Sequence, residues 1–126
     1  MMRKLTILSA LIAAGIALPA QAHTKLVAST PAANATVGNP SKIVLTFNEK
    51  VLPQFAGAAV VMIGMPGMAK HAPMKISGVT SAITKDGKSM TLTMQRPLPT
   101  GTYQVEWHAA GADTHRMEGK FSFAVK

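Results

Sequence analysis

Cysteine is absent from all 126 residues, so no disulfide can staple the fold and packing alone must hold it. A second long apolar run is missing as well. The one present, Leu5 to Leu18, follows Arg3 and Lys4 and ends at Ala20-Gln21-Ala22. That is the charge, apolar stretch and small-residue cleavage site of a secretory signal peptide, and the run is too short for a comfortable membrane span. The reading is a signal peptide over 1–22, cleaved after Ala22, and one domain over 23–126. Removing 22 of 126 residues leaves 104, enough for a single core, with no transmembrane anchor in the mature chain. Those residues lack a helical period, an internal repeat and any low-complexity segment. Aromatic residues are scarce, and the basic ones are dispersed singly from Lys25 to Lys126 without aromatics between them, a pattern that excludes a typical nucleic-acid surface. Loss of Arg3 and Lys4 from the 13 basic residues leaves 11 against 5 acidic ones, a net charge of +6 that favours solubility and attraction to anionic membrane surfaces.

What is present is alternation. Ile43, Leu45 and Phe47 fall on one face of Lys42 to Asn48, and Met90, Leu92 and Met94 on one face of Ser89 to Gln95, the period of two expected for half-buried strands. Tyr103, Val105 and Trp107 alternate in the same way, as do Phe121, Phe123 and Val125 near the end of the chain. Shorter strands are expected at Lys25 to Thr30, Ala58 to Met62 and Lys75 to Val79, with turns at Gly38-Asn39-Pro40, Asp86-Gly87 and Pro97 to Gly101. About seven short strands imply an all-β sandwich or small closed barrel. Its core is expected to hold Ile43, Leu45, Phe47, Leu92, Tyr103, Val105, Trp107, Phe121 and Phe123, with Trp107 as the anchor.

One stretch departs from this scaffold. Met62, Met65, Met68, His71 and Met74 recur at a spacing of three, and the 9 methionines of the chain would place about one in such a 13-residue window, which holds four. Gly64, Pro66, Gly67 and Pro73 remove helix propensity, so the spacing is not a helical stripe. Thioether sulfur is a soft, uncharged donor suited to Cu(I), with imidazole as a compatible partner. The other use of such methionines is adaptable apolar packing.

Cleavage after Ala22 would make a second set of donors. A terminal His23 offers its amine and its imidazole together, and Asp113 and His115 offer a carboxylate and an imidazole two residues apart. In an extended segment the latter two would project to one side, and nitrogen with oxygen donors in a square arrangement favours Cu(II). Asp113 could instead cap a turn. His108 lies on the polar face of its strand and reads as a solvated side chain. Glu49 reads as a charged strand end that approaches His23 only if the first strands pair.

Taken together, the terminal His23, Ser29-Thr30-Pro31, Leu45 to Glu49, the Met62 to Met74 loop, Gly101-Thr102-Tyr103, Trp107 and Asp113-Thr114-His115 resemble the CopC family of periplasmic copper-binding proteins over essentially the whole mature chain. The resemblance implies a Greek-key β-barrel with two copper sites at opposite ends. Cu(I) donors would be drawn from Met62, Met65, Met68, His71 and Met74, and Cu(II) donors would be His23, Asp113 and His115. It further implies a periplasmic, monomeric, non-enzymatic copper carrier serving copper homeostasis or resistance, with a CopD-type inner-membrane protein as partner. Arg116-Met117-Glu118 departs from the family pattern and sets a cation beside the Cu(II) donors, and His108 is a second departure.

Two other functions compete with that reading. Copper-dependent polysaccharide monooxygenases also use an amino-terminal His chelate with a second His. Here Asp113 would fill the position that oxygen needs, and one Trp and one Tyr give little surface for a polysaccharide. The third reading is an interaction module whose Met loop is an adaptable contact surface.

Overall fold

Alternation becomes burial along the central strands. Ile43, Leu45 and Phe47 are buried, and so are Met90, Leu92 and Met94, while the residues between them reach solvent wholly or in part. The computed structural model describes residues 15, 23–68 and 72–126. The expected signal peptide, apart from Gly15, and His71 lie outside the described residues. Among the described residues no helix is long and apolar enough to cross a membrane.

Nine strands form two sheets: β1 (Leu26–Thr30), β2 (Thr36–Val37), β3 (Lys42–Phe47), β4 (Gly57–Gly64), β5 (Met74–Lys75), β6 (Thr80–Ile83), β7 (Ser89–Thr93), β8 (Gly101–Ala110) and β9 (Arg116–Val125). One sheet has the order β1-β3-β7-β6 and the other β2-β9-β8-β4-β5, so the fold is a two-sheet sandwich. Seven of the strands have four or more residues. Six of these seven were expected; β6, with exposed side chains except for the half-buried Ile83, was not, and β2 and β5 are too short for alternation to reveal them. β8 is the spine of its sheet, paired antiparallel with β4 from Gly101's neighbour Thr102 to His108 and with β9 from Gly101 to Ala110.

The core between the sheets contains seven of the nine expected residues, Ile43, Leu45, Phe47, Leu92, Tyr103, Val105 and Phe123, together with Val51, Val60, Leu98, Ala109, Val125 and the three methionines Met62, Met90 and Met94. Tyr103 is fully buried, stacks on Phe123 at 5.7 Å and donates its hydroxyl to the Pro99 carbonyl at 2.7 Å, which ties down the loop after β7. Burial pushes the Tyr103 phenol above its usual pKa, so it stays a neutral donor.

Two expectations change. Trp107 and Phe121 are only half-buried and pack against the rim of the core, with the Trp107 indole edge-on to Phe47 at 5.3 Å. An indole near the end of a sandwich is too large to be covered on all sides. The strand expected at Lys75 to Val79 stops at Lys75, because Ile76 makes one last bond to Val60 and the chain then turns through Gly78 at φ +72°. Glycine alone takes that conformation without a steric penalty.

Candidate metal centres

The first centre is assembled where β8 passes into β9. His23 stands just before β1 and is held by the end of β3: the Asn48 side-chain amide donates to the His23 carbonyl at 3.0 Å, and its oxygen accepts from the Lys25 N–H at 2.8 Å. Between them Thr24 is 2% exposed and donates its hydroxyl to Glu49 Oε1 at 2.7 Å. Gly111 makes room for this pair, since a Cβ there would lie 2.1 Å from Glu49 Oε1 and 2.9 Å from Thr24 Oγ1. Glu49 therefore does approach the neighbour of His23, through its bond to Thr24. Thr24, Asn48 and Gly111 were not singled out as site residues by sequence: the pairing of β1 with β3 brings the first two together, and packing of the second sheet brings Gly111 against Thr24 and Glu49.

Asp113 and His115 do converge on His23, but not because their segment is extended. Thr114 has φ +61°, its N–H donates to the Gly111 carbonyl at 2.9 Å, and its hydroxyl donates to the Asp113 carbonyl at 2.7 Å. The Asp113 carboxylate accepts from the His115 N–H at 3.0 Å. A hydrogen-bonded turn, rather than strand alternation, thus aims the two side chains. One ligand atom from each of His23, Asp113 and His115 lies within 4.8 Å of the others. The two imidazoles meet edge to face, 5.6 Å between centroids at 81°.

His23 Nδ1 is buried and has no hydrogen-bond partner, the one such side-chain atom among the described residues. A buried polar atom without a partner costs free energy, and an imidazole that lies beside a second imidazole and a carboxylate belongs to a donor set that a cation would satisfy. Two imidazole nitrogens and a carboxylate oxygen fit a divalent ion of intermediate hardness such as Cu(II). Arg116, the unexpected neighbouring cation, pairs with Glu118 at 3.5 Å on the exposed face of β9, so its charge is matched along the strand. His108 is half-buried against Gly57, where a Cβ would sit 2.8 Å from its imidazole, and lies outside this cluster.

The methionine stretch divides into three. Met62 is in β4 and 8% exposed, its methyl tucked against Gly101, whereas Met65, Met68 and Met74 are 37%, 51% and 55% exposed. Met65 and Met68 exchange two backbone hydrogen bonds of 2.9 Å around Pro66-Gly67, and Gly67 at φ +77° supplies the positive φ that a type II turn needs after proline. Met74 pairs with Met62 across β4 and β5, so the two flanking strands do hold the ends of the loop.

The CopC domain profile matches residues 26–126. A copper resistance protein C of Xanthomonas campestris pv. juglandis is 46% identical over 117 residues, covering 92% of this chain and 91% of that protein. A copper resistance protein C of Escherichia coli is 43% identical over 112 residues, covering 89% of this chain and 88% of that protein. The crystal structure of PcoC, a methionine-rich copper resistance protein from Escherichia coli, aligns with a TM-score of 0.76 and 41% identity over 83% of this chain and 100% of that one. A profile that spans the entire sandwich, with relatives of this identity along nearly their full length, means that the chain belongs to the CopC family.

Proposed function

We propose that this chain is exported to the periplasm, cleaved after Ala22 and acts there as a copper carrier in copper resistance or homeostasis. It performs no turnover of its own. Cu(II) would be held by the His23 amine and imidazole with Asp113 and His115. Cu(I) would be held by exposed thioethers of Met65, Met68 and Met74 with His71, and Met62 would contribute from β4. A CopD-type inner-membrane protein would exchange copper with it.

The observation that carries this reading is the convergence of His23 with Asp113 and His115 within 4.8 Å, from segments some ninety residues apart in sequence. The orphaned Nδ1 of His23 supports it further. Because Asp113 adds a third side-chain donor beside the terminal chelate, the set suits holding a metal better than leaving a position open for oxygen.

Copper titration of the chain starting at His23 tests the proposal, first under oxidising and then under reducing conditions. One equivalent of each oxidation state should bind at micromolar protein or below. Binding of neither would remove the carrier function.

A further inference from the structure

The acidic residues of this chain are distributed unevenly over the sandwich. There are five, and all of them are placed: Glu49, Asp86, Asp113 and Glu118 lie toward the end that carries His23, and Glu106 is halfway along β8. None lies at the opposite end, where β8 begins and the methionine turn projects. That end carries Lys42 at the start of β3 and Arg96 just beyond β7, while Lys75 in β5, level with Gln104, stands between the tip and the middle of the sheet, where it also lines a groove with Glu106 and Glu118. All three are exposed, and none forms a salt bridge among the described residues. Glu106 accepts from the Gln104 amide at 3.0 Å rather than pairing with Lys75.

Lys75 and Arg96 line the two sides of an open groove of about 520 Å³. The exposed Met74 precedes Lys75 in β5, and the exposed Met65 and Met68 follow β4, the strand that pairs with β5. The His23 end also has cations, Lys25, Lys50, Lys85, Lys88 and Arg116, but there four carboxylates nearly balance them. The molecule is therefore electrically polar, and three of the five exposed large apolar side chains among the described residues, Met65, Met68 and Met74, lie toward its positive pole.

We propose that the methionine-loop end is a membrane-docking surface that seats the protein on anionic phospholipid headgroups. The cations come from both sheets and spread across the tip, which matches a plane of phosphates better than a single binding cleft. Lys and Arg near an anionic bilayer each favour binding about fivefold, on the order of a hundredfold for three, and unbranched thioether side chains can enter the interfacial layer between them. Such binding is screened by salt, since the Debye length falls to about 3 Å at 1 M.

The docking needs no copper, so it is tested on metal-free protein, and its failure leaves the copper reading untouched. The chain starting at His23 is suitable because the whole core lies within Ile43 to Val125. It is sedimented with vesicles of phosphatidylglycerol and phosphatidylethanolamine in equal parts, and with phosphatidylcholine vesicles. Binding is expected to the first alone. Lys42→Gln/Lys75→Gln/Arg96→Gln should lower it on the order of a hundredfold, Lys42→Glu/Lys75→Glu/Arg96→Glu should lower it further, and the Gln triple carries the test if charge reversal disturbs the fold. Lys50→Glu/Lys85→Glu/Lys88→Glu removes the same charge from the far end and should change binding less than threefold. Equal losses from the two Glu triples would overturn the proposal in favour of net charge alone. Failure to bind the anionic vesicles, or capture by a polyglutamate peptide without vesicle binding, would overturn it too, the latter in favour of an acidic protein partner.

Discussion

Thr114 is the residue on which the first centre turns. A β-branched side chain at φ +61° is in the left-handed region, where steric crowding costs on the order of 1 to 3 kcal/mol. Asn34, at φ +64°, shows the residue type that the chain uses for the same conformation elsewhere. The hydroxyl bond from Thr114 to the Asp113 carbonyl and the N–H bond to Gly111 hold the strained geometry in place. Thr114→Asn should therefore stabilise the protein by about 0.5 to 1 kcal/mol and keep Cu(II) affinity, because asparagine tolerates this φ. Thr114→Val keeps the bulk and the strain but loses the hydroxyl bond, which should cost about 1 kcal/mol and weaken Cu(II) severalfold. Denaturant melts and copper titration of the two variants check this, and the reverse order would mean that the loop adopts another backbone. The Asp-x-His spacing was legible in the sequence as a donor pair, but its geometry was not. Nothing in three letters distinguishes an extended segment from a turn closed by bonds to Gly111 and within the pair itself. The nearness of Glu49 and Asn48 to His23 was hidden for a different reason, since it depends on which strands pair.

At the scale of elements, alternation located β3, β7, β8 and β9, because a period of two is what burial of one face writes into a sequence, but it missed β6, whose four residues are exposed except for the half-buried Ile83. It could not locate β2 or β5, which are two residues long, nor end the strand expected at Lys75 to Val79. The regular spacing of the methionines suggested one uniform loop, yet β4 takes Met62 into the core and the Pro66-Gly67 turn exposes Met65 and Met68. Burial then separates their roles. Met65→Leu/Met68→Leu should leave the melt unchanged, since both side chains are exposed, and lower Cu(I) affinity at least tenfold because Leu offers no sulfur. Met62→Leu should cost under about 1.5 kcal/mol as a volume-conserving core change and reduce Cu(I) affinity less. Competition against a chromophoric Cu(I) chelator reads both. A larger loss from Met62 than from the exposed pair would place the metal inside the sandwich mouth rather than at its tip.

For the whole molecule, the arrangement of the two proposed centres follows from β8. His115 follows its last residue, Ala110, by a short turn, and Gly101 at its start packs against Met62 and Gly64. Ten residues at a rise of about 3.3 Å set the two centres on the order of 30 Å apart, at opposite ends of the sandwich. In the sequence this followed only from family resemblance, because no local pattern says which strand joins two motifs. Sites so far apart with no shared ligands should behave additively. The amino terminus provides the sharpest test. If the His23 amine is a donor, adding one Met before His23 turns that nitrogen into a peptide amide, which gives up its proton far less readily than an amine. Every side chain would remain, with His23, Asp113 and His115 still within reach of one another. Cu(II) affinity should then fall at least a hundredfold while Cu(I) affinity is unchanged. Combining the extension with Met65→Leu/Met68→Leu should reproduce both separate losses without further interaction. Equal Cu(II) affinity with and without the extra residue would take the amine out of the centre. A loss of Cu(I) on extension alone would mean that the two ends share a metal or a conformational change, contrary to the rigid spine of β8 between them.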